Sequence, residues 1–125
     1  MLGAIAGDII GSVFENNPVK STVFPLFSKY SHFTDDTVLT VAIAYAVLNH
    51  IDYVTALKNF ARKFPNAGYG LSFYQWMQSS DSRPYNSWGN GSAMRVSPVV
   101  LRRHFIAISQ LSLSGRSEKD CPQSF

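Results

Sequence analysis

Three short stretches of this chain carry side chains suited to chemistry. Residues 33–44, FTDDTVLTVAIA, place Thr34, Asp35 and Asp36 at the mouth of a long apolar run. Successive residues of a helix point roughly 100° apart, so these carboxylates do not grip one ion as a simple pair. They suit two neighbouring hard cations, or one cation with its water shell. Magnesium takes oxygen ligands in octahedral geometry and keeps several waters. The routine alternative is that Thr34 caps a helix whose first turn places two acids against the positive end of its dipole. The residues alone leave both readings open.

Asp8, Ser12 and Glu15 form a second set, falling on one side of an N-terminal helix otherwise built of Leu, Ile, Ala and Gly. In a buried helix such carboxylates need a partner or a metal; on a surface helix they are the solvated face. The third stretch is NSWGNGSAMR. Gly89 and Gly91 bracket Asn90, and Ser92 stands where a helix can begin. A glycine-flanked loop entering a helix offers backbone N–H groups to an anion, typically phosphate. Trp88 or Tyr85 offers a ring for stacking, and Arg95 can reach a phosphate or one of the acids. An ordinary Asn-Gly turn with a serine cap has the same sequence.

The elements that must position these groups read as helices. Leu2, Ile5, Ile9 and Val13 recur at helical spacing, and Gly3, Gly7 and Gly11 make a stripe that predicts a closely packed neighbouring backbone. An irregular loop, punctuated by Pro18 and Pro25, follows. A second helix is predicted over residues 35–49, apolar nearly all round and therefore central. Asp52 caps a third, with Val54, Leu57, Phe60, Ala61 and Phe64 on one face, ended by Pro65 and the glycines of PNAGYG. LSFYQWMQSS reads as a fourth, shorter helix, DSRPYNSWGNGS as a loop, and a fifth helix opens at Ser92. Strand signals are weak, so the expected class is all-α.

Hydrophobic residues at 46% and charged residues at 15% describe one globular domain in 125 residues. The net charge of +3 does not point to nucleic acid. Residues 1–98 carry seven Lys/Arg against six Asp/Glu, residues 99–125 four against two, and no helix shows a basic stripe. The longest apolar run, Val38 to Leu48, is too short to span a bilayer, so no membrane partner is expected. The N-terminus lacks the positive start of a signal peptide. The single cysteine, Cys121, allows no internal disulfide, and a cytoplasmic setting follows as the expectation. His32, His50 and His104 show no metal spacing, and no nucleophile–histidine arrangement can be argued.

Taken in order, GAIAGDIIGSVFE, FTDDTVLTVAIA and SWGNGSAMRVSPV resemble the ADP-ribosylglycohydrolase family, which includes the dinitrogenase-reductase-activating enzymes. The resemblance covers about residues 2–99. It implies a compact multi-helix, all-α fold, two bound Mg2+ ions (Mn2+ in some cases), and removal of ADP-ribose from modified proteins or small ADP-ribose conjugates. By the same resemblance, Thr34, Asp35 and Asp36 are metal ligands, with both aspartates in the catalytic centre. Glu15 matches the first-helix glutamate near the metals and the scissile bond, and Asp8 the supporting aspartate of that motif. Ser87, Trp88, Gly89, Asn90 and Gly91, with Ser92 after them, match the loop that holds the diphosphate and adjoining ribose. The implied mechanism orients ribose hydroxyls and a water on the metals while the C1″ bond breaks through an oxocarbenium-like state. Glu15 then acts on that water or on the leaving group.

One part of the family pattern is missing. Its second metal-binding motif, a glycine-rich segment with Asp-x-Asp-Thr, has no counterpart in this sequence. Beyond Val99 the serine-rich tail reads like an altered frame or an early stop. The expected layout is therefore the N-terminal part of such a domain over 1–99 and a divergent tail over 100–125. The expected function is a magnesium-dependent hydrolase of ADP-ribose conjugates, truncated and weakly active or inactive. A non-catalytic ADP-ribose binder and a structural, crystallin-like protein are the alternatives. A face left bare by absent helices would favour association.

Overall fold

A computed structural model of the chain describes residues 1–102. The described residues are helical and contain no strand. The helices are α1 (Leu2–Gly11), α2 (Asp35–Asn49), α3 (Tyr53–Lys63), α4 (Leu71–Gln78) and α5 (Gly91–Met94), with a 3₁₀ turn at Ser12–Phe14. A last helical stretch, α6, is described over residues 97–102. The expectation for the tail falls almost wholly outside the described residues.

Helix α2 is the axis of the fold, as its all-round apolar sequence predicts. Val38, Leu39, Ala42, Ile43 and Val47 are among its buried residues. Leu57 and Ala61 from α3 and Phe73, Trp76 and Met77 from α4 complete one core around it. The α2 terminus is closed by His50 in the left-handed region at φ 54°, whose N–H donates to the Ala46 carbonyl. Helix α3 begins at Asp52, whose carboxylate accepts from the Thr55 backbone N–H at 2.8 Å and its hydroxyl at 3.0 Å. Of the apolar face expected on α3, Leu57 and Ala61 are buried, Val54 and Phe60 pack at the margin, and Phe64 is largely exposed.

Two expectations need correction. A Cβ built at Gly3, Gly7 or Gly11 would meet nothing within 4 Å, so no described backbone packs against that stripe. Helix α1 buries no residue fully; Ile5, Ile9 and Ile10 are half-buried, and Asp8 adds a polar tie to the start of α2. The fifth helix is also shorter than expected, a single turn that stops at Arg95 before α6 begins. Pro98 explains the break: lacking an N–H, it cannot donate to the Met94 carbonyl four residues back. That carbonyl accepts from the Thr40 hydroxyl at 3.2 Å, which ties α5 to the middle of α2.

Candidate functional site

The site is built around the first turn of α2. Four N–H groups at a helix start have no partner within the helix. Thr34, the N-cap, accepts from the Asp36 N–H at 3.3 Å. The rest of the capping comes from another element. Asp8 on α1 accepts from the Thr34 N–H at 2.9 Å, the Thr34 hydroxyl at 2.6 Å, the Thr37 N–H at 3.2 Å and the Thr37 hydroxyl. Ser12 reinforces the junction. Its hydroxyl donates to the Ile9 carbonyl at 2.9 Å and accepts from the His32 N–H at 3.1 Å. This back-bond within three residues accompanies the tightening of α1 into the 3₁₀ turn.

The arrangement answers the question raised by the paired aspartates. Capping is done by Thr34 and Asp8, so Asp35 and Asp36 are not consumed by it. Among the described residues, no neighbouring N–H or O–H donates to either carboxylate, although both are partly buried. Burial pushes the Asp35 carboxyl up to about 6; the Asp36 charge adds to this, while its own backbone amide and Arg95 act against it. Asp36 is raised too, by burial and then by Asp8, against the pull of Arg95. Such partly buried carboxylates, with no donor from another described residue, are the groups a hard cation would relieve. The Thr34 hydroxyl gives its proton to Asp8 and one lone pair to the Asp36 N–H, leaving a second lone pair unused. The donor set therefore fits a hard divalent cation, but only in part. Among the described residues, no three His, Cys, Asp or Glu side chains come close enough to share one.

Glu15 ends the 3₁₀ turn and is exposed. Tyr69 was not singled out by the sequence. Its hydroxyl is buried without a partner, its ring stacks on Phe73 at 5.2 Å, and burial followed by the Asp35 charge pushes it up to about 12. No local pattern in PNAGYG marks it, because only the fold brings it to Asp35.

A cleft of about 390 Å³ is lined by Arg95, whose charge acts on both aspartates; Thr34, Asp35 and Asp36 are not among its lining residues. Ser87, Gly89, Gly91 and Ser92 line it together with Trp76, Tyr85 and Arg95. Trp88 is not in the wall; its side chain is fully exposed at 102%. Asn90 is the exposed N-cap residue of α5 and makes no side-chain capping bond. The Ser87 hydroxyl accepts from the Gly89 N–H at 3.2 Å, which shapes the loop into a tight turn.

Arg95 is the one cation among the lining residues. Its guanidinium lies 5.4 Å from the Phe73 ring centroid, and its Nε is buried without a partner. Burial holds it below its ordinary value, against the favourable influence of Tyr85, Asp35 and Asp36. Gly91 makes this position accessible. A Cβ there would stand 2.5 Å from Arg95 Nη2 and 3.3 Å from Cζ. The absent side chain thus makes room for the guanidinium beneath the loop.

Comparisons with known proteins agree with the sequence pattern. The family model described as ADP-ribosylglycohydrolase matches residues 1–116, reaching beyond Val99. The ADP-ribosylhydrolase ARH3 of Xenopus tropicalis is 28% identical over 133 residues, an alignment covering 81% of this chain and 37% of that protein. The chain thus spans well under half the length of this relative. No solved structure matches.

Proposed function

The chain belongs to the ADP-ribosylglycohydrolase family, and from that premise we propose that it takes an ADP-ribosyl group into the cleft lined by Arg95, with Asp35 and Asp36 at the end that Arg95 influences. The observation that carries this reading is Arg95, a half-buried guanidinium lining the cleft within the electrostatic reach of both aspartates. An anion on the glycine loop would meet Arg95 and the Gly91 N–H. The Trp76 and Tyr85 rings would flank the rest of the ligand. The substrate class is an ADP-ribosylated protein or a small ADP-ribose conjugate.

Asp35, Asp36 and the free lone pair of Thr34 would hold Mg2+ or Mn2+. When bound, such ions supply Lewis-acid charge stabilisation to a ribose hydroxyl and a water. Asp8 holds the Thr34 hydroxyl proton, which fixes the direction of that lone pair. The aspartates present negative potential where positive charge develops on the ribose as its glycosidic bond breaks. Glu15, free of described partners, is the carboxylate assigned to the water or the leaving group. A cytoplasmic setting stays part of the reading, resting on the single Cys121. No described helix is long and apolar enough to cross a membrane.

The partial donor set favours binding over turnover by this chain alone. A non-catalytic ADP-ribose binder is therefore the second reading. Calorimetric titration of the purified chain with ADP-ribose, with and without Mg2+, tests the proposal. Saturable binding that tightens with Mg2+ is expected, with weak or no release of ADP-ribose from a modified protein. Absence of binding under both conditions would sink it.

A further inference from the structure

Lys58, on α3, is only 7% exposed, yet no carboxylate among the described residues pairs with it. Its Nζ donates to the carbonyls of Ser79 at 2.8 Å and Asp81 at 2.7 Å, and lies 4.6 Å from the Trp76 ring centroid. The Asp81 carboxylate is engaged elsewhere, by Arg83 at 2.8 Å. An ammonium taken out of water is costly, and an apolar side chain would fill the same space with no such penalty. The residue type therefore has to be explained by what the ammonium holds.

It holds a stretch of backbone. From the last turn of α4 onward, alternate carbonyls each meet a side-chain donor. Arg62 Nε donates to Met77 at 2.8 Å, Lys58 to Ser79 and Asp81, and Trp76 Nε1 to Arg83 at 2.9 Å. Arg62 Nη2 adds a longer bond to Ser79 at 3.4 Å. The bonded carbonyls, spaced by two, run from the end of α4 through the irregular chain that follows it. The segment so fixed leads directly into Pro84, Tyr85 and Ser87, which line the cleft together with Arg95, Tyr85 standing next to the guanidinium. Trp76 serves on both sides, as cleft wall and as the face beneath Lys58.

We infer that Lys58 is a positioning residue, which places the 84–87 part of the cleft lining by pinning residues 79 and 81. The inference rests on the reading of the cleft as an ADP-ribosyl site. It makes no claim that Lys58 touches the ligand.

Three variants of the 125-residue chain separate positioning from general stability: Lys58→Met, which keeps length and loses the donors; Lys58→Arg, which keeps donors; and Val47→Ala, which opens the core at a residue outside the cleft lining. ADP-ribose titration, below the melting temperature of all three, should show about tenfold weaker binding for Lys58→Met. Lys58→Arg should bind close to wild type, and Val47→Ala should melt earlier without losing affinity. Amide exchange gives a ligand-free readout: residues 82–87 should exchange faster in Lys58→Met and not in Val47→Ala. Wild-type affinity in Lys58→Met, or an equal loss in Val47→Ala, overturns the inference. If the wild-type chain takes up no ADP-ribose, the reading of the cleft falls, and amide exchange at 82–87 still decides the role of Lys58.

Discussion

At the scale of single residues, the capping of α2 decides what its acids are free to do. An N-terminal acid is normally stabilised by the helix dipole, which lowers its pKa. Asp35 goes the other way, pushed up to about 6 from an ordinary 3.8, with burial as the leading cause. The folded chain therefore holds this proton more tightly than the unfolded chain. Its contribution to stability is greatest where Asp35 is protonated and is lost as pH rises from 3.8 through about 6. Discounted for solvent screening at a half-buried group, the loss is on the order of 1 kcal/mol. Asp36 acts in the same direction, whereas Asp52 and Asp81, both lowered, act below the ordinary carboxylate range. Asp35→Asn should remove this slope. Thermal melts of the cation-free chain should show the variant gaining on wild type between pH 4 and pH 7. A constant difference across that range would show that Asp35 is not the group responsible. Mg2+ competes with the same proton, so any stabilisation by Mg2+ should be larger at pH 7 than at pH 5.

At the scale of elements, what the sequence made legible was what local rules govern. The bounds of α2, the Asp52 cap and the end of α3 follow from caps, apolar periodicity and Pro65. Chemistry made by pieces far apart in sequence was not legible. Nothing in GAIAGDIIGS says that Asp8 will cap a helix beginning 27 residues later. Nothing in YNSWGNGS says that Trp88 will face solvent while Tyr85 faces the cleft. The glycine loop shows the difference most clearly. Its glycines imply close approach of a ligand, yet at Gly91 the space is taken by Arg95. Gly91→Ala therefore tests an internal contact. The clash falls on the far end of a flexible side chain, and Ala suits a helix better than Gly, so stability should change by less than about 1 kcal/mol. The guanidinium, however, must leave its place over Phe73. ADP-ribose affinity should fall by about tenfold with the melting temperature nearly constant, since an anion contact is displaced without loss of core. Unchanged affinity would mean that Arg95 does not hold the anion.

At the scale of the whole molecule, the described helices are joined in two different ways. Helices α2, α3 and α4 share one apolar core. Helix α1 shares none of it, and Leu2 is 80% exposed. Besides the half-buried Ile5, Ile9 and Ile10, what joins it to the rest is the Asp8 carboxylate and the Ser12 hydroxyl, which meet His32, Thr34 and Thr37. Asp8 thus carries two tasks at once, orienting the Thr34 hydroxyl and fastening α1. Asp8→Asn places an amide N–H2 where one carboxylate oxygen accepted, so Thr34 or Thr37 donors lose their partner. The cost should be about 1–3 kcal/mol, the range for partly buried donors left unsatisfied. Its distribution should be uneven. Amides of α1 and of the first turn of α2 should exchange faster, while those of the α2–α4 core keep most of their protection. The newly loosened apolar face of α1 should also raise light scattering at high protein concentration. A uniform loss of protection would place α1 inside the common core. No loss at all would mean that α1 is fastened by contacts other than Asp8.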